Sequence, residues 1–166
     1  MHGFGLLDFL DCHVASLPSV TIWLRLLKHS TQCYNIYANQ KSFQDKTFAR
    51  WAKKLLSDDL LLAAAREIEQ GRFEADLGGG VCKKRIAVPG QGKSGSTRTL
   101  VAKQHAGAII FLIGREKSSA GADFSDAVVE AVKVIASNLQ AQSVSKLDAL
   151  TRSGELREIG DAKEIE

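Results

Sequence analysis

The chain has few cysteines and no long apolar run. It contains three cysteines, Cys12, Cys33 and Cys82, which lie far apart and form no C-x-x-C pair. This spacing predicts neither a zinc site nor a disulfide framework, and it favours a reducing cytoplasm. The apolar runs at residues 4–10 and 20–27 are shorter than the about 20 residues that a membrane helix needs. We therefore expect no membrane contact, no metal and no cofactor.

Acidic residues are missing from the middle of the chain. The formal net charge of the 166 residues is only +3, but no Asp or Glu lies between Asp76 and Glu116. The same window holds seven basic residues: Lys83, Lys84, Arg85, Lys93, Arg98, Lys103 and Arg115. An uneven charge distribution makes a binding surface even when the net charge is small. The middle of the chain is thus suited to a polyanion.

Hydrophobic periodicity is absent from residues 1–42, where the only predicted element is a short helix at 22–29. Both tyrosines of the chain, Tyr34 and Tyr37, fall in this segment. We divide the chain into an N-terminal extension, 1–42, and a domain, 43–166. The extension is either weakly ordered or an artefact of the assigned gene start.

Regular patterns begin at residue 46. Phe48, Trp51 and Leu55 follow the i, i+3, i+7 spacing that predicts a helix over 47–55. Ser57 is a suitable N-cap for a second helix over 60–70, and the two helices are expected to form an antiparallel hairpin. The glycines at 78–80 predict a flexible break.

Three strands are predicted next, at 81–88, 97–103 and 108–113, in an antiparallel meander. An apolar face predicts a third helix over 123–139, made by Phe124, Val128, Ala131, Val132, Ile135 and Leu139. A fourth helix is expected at 145–151, and a brief edge strand in the tail after residue 154. The expected fold class is α+β, with two N-terminal helices packed on a small antiparallel sheet and helices at the C-terminal end.

The glycine-rich stretch 87–98 fits a relaxed P-loop pattern that ends in Gly92, Lys93 and Ser94. A true P-loop leads into a helix, whose N-terminal N–H groups hold the phosphates. Here the following residues alternate with the period of a strand. The stretch is therefore interpreted as a hairpin connection, and nucleotide binding is the least favoured interpretation.

The basic residues of the window are candidates for one site. Lys83 and Arg85 share a strand face, so their side chains project together. The hairpin brings Lys93 and Arg98 towards them, while Arg115 and Lys117 begin the segment just past the third strand. Fixed cations of this kind stabilise the charge that grows on a phosphate when an RNA 2′-hydroxyl attacks it.

Charge pattern alone nevertheless favours a less specific interpretation, a solvated basic face or a nonspecific anion site. Lys84 and Lys103 are expected to face solvent in either case. His105 lies in a predicted turn and is expected to be a surface residue rather than a general base.

Several blocks in order resemble a RelE/HigB-like toxin of a type II toxin–antitoxin system. They are residues 47–54, 67–71, 75–80, 83–85, 90–95, 98–100 and 153–159. The resemblance implies an mRNA endoribonuclease that acts on the ribosome. It also implies a helix-turn-helix antitoxin as partner, operator DNA bound through that antitoxin, and a cytoplasmic location.

The same resemblance assigns roles to the basic residues. Arg98 would stabilise transition-state charge, with Arg85 and Lys117 as the other catalytic residues. RNA phosphate binding is assigned to Lys83 and Lys93, and to Arg115 because of its position just past the third strand.

Two alternatives to an active endoribonuclease stay open, and a departure from the family pattern supports the first. Family members usually carry a Tyr-Gly-Phe-Ala-Lys-like stretch where this chain has Leu-Ile-Gly-Arg-Glu-Lys at 112–117, and no tyrosine follows Tyr37. The first alternative is a decayed, non-enzymatic toxin that still binds an antitoxin and operator DNA. The second is a gyrase inhibitor of the related ParE-like type.

Overall fold

A computed structural model describes residues 40–90, 95–116 and 123–160 of the chain. The described part contains a six-stranded sheet with the strand order β2-β3-β4-β5-β1-β6. The strands are β1 (Lys41–Asp45), β2 (Ala75–Gly78), β3 (Val81–Ala87), β4 (Ser96–His105), β5 (Ala108–Glu116) and β6 (Leu156–Glu158). The helices are α1 (Lys46–Ala52), α2 (Asp58–Glu69), α3 (Asp126–Gln140) and α4 (Val144–Arg152).

The sheet separates two hydrophobic cores. Neighbouring residues of one strand belong to different cores, as with Leu100 and Val101, because successive side chains point to opposite faces. The core around Val101 includes Phe48 of α1 and Leu61 of α2, whereas the core around Leu100 includes Val132 of α3. Helices α1 and α2 therefore cover one face of the sheet, and α3 and α4 cover the other.

The α+β class is confirmed, and so is the packing of the first two helices on the sheet, but the predicted all-antiparallel sheet was wrong. The sheet is mixed rather than antiparallel, because β1 pairs in parallel with β5 while it pairs antiparallel with β6. The helices lie on both faces, because the long central strands bury apolar residues on each side and both sides need cover.

The central meander is as predicted. β3 pairs antiparallel with β4, and β4 pairs antiparallel with β5 across a short turn. The strand-like exit from the glycine-rich stretch is confirmed by β4, and Val88 N–H donates to the carbonyl of Gly95 at 3.3 Å where the connection closes. No helix follows the loop, so the structural requirement for a P-loop is not met.

Side-chain N-caps mark the first residues of α1 and α2. The Ser57 hydroxyl accepts a bond from Leu60 N–H at 3.4 Å at the start of α2, and Asp45 accepts from Thr47 N–H at 2.7 Å before α1. The glycines at 78–80 form a hairpin turn between β2 and β3 instead of a break. All three have positive φ, from 60° to 77°, which L-residues with side chains rarely adopt.

The apolar face predicted for the third helix was partly wrong. In α3 the buried residues are Val132 and Ala136, whereas Ile135 is 49 % exposed and Ala131 is exposed. The edge strand predicted in the tail is confirmed as β6. Residues 1–39 of the proposed N-terminal extension lie outside the described residues.

Candidate RNA phosphate site

Three arginines form a row across the central strands. Arg85 of β3 pairs with Arg98 of β4, and Arg98 pairs with Arg115 of β5. Directly opposed residues on neighbouring antiparallel strands have Cβ atoms about 4.5–5.5 Å apart and share a face. The sequence predicted that Arg98 would join the first-strand cations, and this placement is confirmed. We call Arg85, Arg98 and Arg115 the arginine row.

The row carries an electrostatic cost. Like charges placed directly opposite one another on a sheet are destabilising, and Arg98 has such a neighbour on each side. Guanidinium groups bind phosphate through two parallel N–H donors. A phosphate placed on the row would accept such bonds and oppose the repulsion, which the Asp123 carboxylate near Arg98 already reduces in part.

Lys83 lies two residues before Arg85 and shares its face, as predicted. Its Nζ donates to Asp123 Oδ2 at 2.5 Å, and the two side chains are 24 % and 41 % exposed. Lys83 is therefore paired with an acid, which the acid-free window of the sequence did not indicate.

Asp123 is the residue of this region that the sequence analysis missed. Its backbone carbonyl accepts a bond from Arg115 Nη1, while its carboxylate holds Lys83, so one residue links β3 to β5. Burial opposes ionisation of this carboxyl, but the Lys83 hydrogen bond and the Phe124 N–H outweigh it and lower the pKa of Asp123. The guanidinium of Arg115 also lies 5.9 Å from the centre of the Phe124 ring.

A cleft opens beside Lys83 and Asp123, with a volume of about 440 Å³. Leu77 and Phe124 line it, together with the acids Asp76, Asp126 and Glu130. Four acids, with Asp123 among them, stand against two lysines, Lys83 and Lys133, so this side of the site is unsuited to phosphate. Arg85 and Arg98 lie one side-chain position further along the sheet than the Lys83–Leu100 pair that borders the cleft, near the ends of β3 and β4 at the glycine-rich connection.

The predictions for Lys84 and Lys103 were wrong. The Lys84 side chain is only 7 % exposed, and its Nζ donates to Glu67 Oε2 at 2.6 Å and to the Arg72 carbonyl at 2.9 Å. Lys103 is 16 % exposed and lies 3.0 Å from Asp76 Oδ2. Both lysines lie on the α1 and α2 side of the sheet, where they complete the packing.

The prediction for His105 was also wrong, because its side chain is buried. Nδ1 accepts from Gly107 N–H at 3.0 Å, so the ring proton is on Nε2, which lies 2.8 Å from the Gln142 carbonyl. Both ring nitrogens therefore hold the β4–β5 turn against the end of α3. His105 is not a general base of the site.

Two of the predicted site residues, Lys93 and Lys117, lie outside the described residues. Arg115 lies within β5 rather than beyond it, since this strand extends to Glu116. Within residues 40–90, 95–116 and 123–160, no group of three or more His, Cys, Asp or Glu side chains could hold a metal ion. In the same ranges no helix is long and apolar enough to cross a membrane.

The fold and the arginine row define a small α+β protein whose central strands carry three arginines side by side. The chain matches the model of the RelE toxin of the RelE/RelB toxin–antitoxin system over residues 40–159. It therefore belongs to the RelE toxin family, which confirms the resemblance seen in the sequence. It is a toxin of a toxin–antitoxin system and has an antitoxin as its partner. No curated protein matches the chain.

Proposed function

We propose that the protein is a ribosome-dependent mRNA endoribonuclease whose arginine row binds the scissile phosphate. The observation that carries the proposal is the register of Arg85, Arg98 and Arg115 on adjacent strands. Three guanidinium groups on one face supply donors to several phosphate oxygens at once. A nonspecific basic face does not require this register.

The chemistry fits the charge that the row supplies. The 2′-hydroxyl of the RNA gives its proton to solvent water while its oxygen forms a bond to phosphorus. The bond from phosphorus to the 5′-oxygen of the next nucleotide breaks, which leaves a 2′,3′-cyclic phosphate on one fragment and a 5′-hydroxyl on the other. Negative charge grows on the phosphoryl oxygens during this step, and preorganised donors stabilise it more than they stabilise the ground state. Arg98 takes the central role in the proposal because it has an arginine on each side.

The remaining roles follow from position. Arg85 and Arg115 hold the phosphate from either side of Arg98, and Lys83 binds a neighbouring phosphate once it leaves Asp123. We assign a further phosphate contact to Lys93 and proton donation to the leaving oxygen to Lys117, as the sequence predicts. The ribosome, a helix-turn-helix fold for the antitoxin, operator DNA bound through it and a cytoplasmic location belong to the same proposal.

Induced expression tests the proposal. The wild-type chain should arrest growth and cut mRNA, and Arg98→Ala should lower the cleavage rate by about 100- to 1000-fold, the usual cost of losing one such donor. Lys103→Met is the matched control, because it removes a cation from the opposite face of the same strand. The readout is the mapping of mRNA 5′ ends after induction.

Three outcomes contradict the proposal. Arrest with intact mRNA and damaged DNA indicates a gyrase inhibitor. A harmless wild type that still binds its antitoxin indicates the decayed, non-enzymatic module. Equal loss of cleavage in Arg98→Ala and Lys103→Met indicates that the arginine row has no special role.

A further inference from the structure

Asp123 brings three cations of the candidate phosphate site towards one residue. Its Oδ2 accepts a bond from Lys83 Nζ at 2.5 Å, and its backbone carbonyl accepts one from Arg115 Nη1. Arg98 lies close enough for its charge to stabilise the ionised carboxylate. A negative side chain of the protein therefore stands where cations of β3, β4 and β5 converge.

The carboxylate offers these cations what a phosphate would offer them. It is an anion with two acceptor oxygens, and lysine and arginine bind carboxylates and phosphates through the same N–H donors. Within the described part of the chain, the carboxylate accepts one other hydrogen bond, from Phe124 N–H next to it in the chain, at 2.9 Å. Lys83 is thus the group that attaches this carboxylate to the sheet.

The Lys83–Asp123 pair is open to exchange with another anion. Its two side chains are 24 % and 41 % exposed, whereas the Lys84 side chain is 7 % exposed in its pair with Glu67. An ion pair exposed in this way contributes little, because water competes for both partners. Both residues also line the cleft of about 440 Å³, so water reaches the carboxylate when it turns away from Lys83.

We propose that Asp123 occupies, in the free protein, the position that an RNA phosphate takes at Lys83, so that RNA binds there by displacing it. The proposal rests on the proposed function, which supplies the polyanion, and it adds a residue that sets the affinity of the same site. In the exchange the carboxylate leaves Lys83 for water, and a phosphate oxygen accepts the Nζ bond in its place.

The consequence is selectivity for strands that the arginine row already holds. A single phosphate at Lys83 has to displace an anion of the protein and meets the other acids of the cleft, which act in the same direction. A strand whose neighbouring phosphate lies on the arginine row is held next to Lys83, so it competes with Asp123 at a high effective concentration. Asp123 thus weakens binding of short or loosely held anions most.

A purely structural role for Asp123 predicts the opposite effect on RNA. As a clamp, the carboxylate would hold Lys83 in place for the strand, and removing its charge would weaken RNA binding. As a displaced anion, it opposes the strand, and removing its charge strengthens RNA binding. The sign of the change in affinity therefore distinguishes the two roles.

The test measures the affinity of the full chain for a single-stranded RNA oligonucleotide by fluorescence anisotropy. The oligonucleotide carries 2′-O-methyl groups, which remove the attacking hydroxyl, so that binding is measured without cleavage. Asp123→Asn keeps the size and one acceptor oxygen but removes the charge, and it should bind about fivefold more tightly. Glu130→Gln is the matched control, since it removes the same charge from the same cleft but its partner is Lys133. Its affinity should change by less than about twofold.

Lys83→Met shows whether the competition takes place at Lys83. Added to Asp123→Asn, it should abolish the gain, so that Lys83→Met binds the oligonucleotide equally well with Asp or Asn at position 123. A gain of the same size without Lys83 contradicts the proposal, because Asp123 would then act only through the overall charge. Weaker or unchanged binding by Asp123→Asn also contradicts it, as does an oligonucleotide that binds no variant.

Mapping of mRNA 5′ ends after induction separates this proposal from the proposed function. Cleavage by the wild type, together with an oligonucleotide affinity that Asp123→Asn leaves unchanged, refutes the role of Asp123 alone. Intact mRNA, together with a gain in affinity that depends on Lys83, refutes cleavage alone and leaves Asp123 as the competitor at an RNA-binding site.

Discussion

Lys83, Lys84 and Arg85 are consecutive basic residues with different surroundings, and the middle one gives a quantitative prediction about stability. Lys84 is 7 % exposed, while its partner Glu67 is 45 % exposed. Removing Glu67 leaves the buried ammonium group of Lys84 with the Arg72 carbonyl as its one remaining acceptor among the described residues. Removing Lys84 leaves the Glu67 carboxylate without this partner, but the carboxylate can turn towards water. The two single substitutions should therefore differ in cost.

The magnitudes follow from this difference in exposure. Breaking a fully buried ion pair costs about 3–5 kcal/mol, and because Glu67 is half exposed and one acceptor remains, we expect Glu67→Ala to cost about 2 kcal/mol. Lys84→Met keeps the apolar stem and removes the buried charge, so we expect about 1 kcal/mol. The double variant should be less costly than the sum of the two, because neither charge is then left alone.

Urea unfolding of the full-length variants measures these costs. Glu130→Ala is the matched control, since it removes an exposed pair with Lys133 on another helix and should change stability by less than about 0.5 kcal/mol. Two results would refute the reasoning. In the first, Glu67→Ala lowers the free energy of unfolding by no more than the control does. In the second, Lys84→Met lowers it by more than Glu67→Ala does.

The same pair gives a pH dependence with a definite sign. The hydrogen bond from Lys84 is the largest influence on Glu67 and lowers the pKa of its carboxyl. A lowered folded pKa means that the stabilisation is present above the unfolded value of about 4.3 and is lost as the pH falls through the folded pKa. The stability difference between wild type and Glu67→Ala should therefore shrink on acidification below about pH 4.3.

Three further predictions concern packed or buried positions. Gly114→Ala should lower the free energy of unfolding by about 1–3 kcal/mol, because its Cβ would lie 1.9 Å from the Trp51 ring, and adding Trp51→Leu should recover part of the loss; a fully stable Gly114→Ala would contradict this packing. His105→Ala should cost about 1–2 kcal/mol in urea unfolding, since the bonds of the buried ring to the Gln142 carbonyl and the Gly107 N–H are both lost, and no change would show that water replaces the ring. Burial raises the pKa of Cys82 to about 12, so in a variant whose other cysteines are serines it should react with a thiol reagent at pH 8 only after unfolding; rapid labelling of the native protein would contradict the burial.

The central sheet and its arginine row could be predicted from the sequence because their determinants are local. Alternation fixes which face Lys83, Arg85 and Arg98 occupy, and short connections limit the register of neighbouring strands. Once β3, β4 and β5 form a meander, Arg98 lies near Arg85 with little freedom. The position of Arg115 depended only on how far β5 extends.

The missed features have partners that are distant along the chain. β1 bonds to β5 and β6, which follow it by more than 60 residues, and it buries Phe43 and Gln44 on opposite faces, so no polar alternation marks it. The burial of His105 depends on Gln142, and Asp123 approaches Lys83 only through tertiary structure. Residue type and spacing carry no information about such contacts.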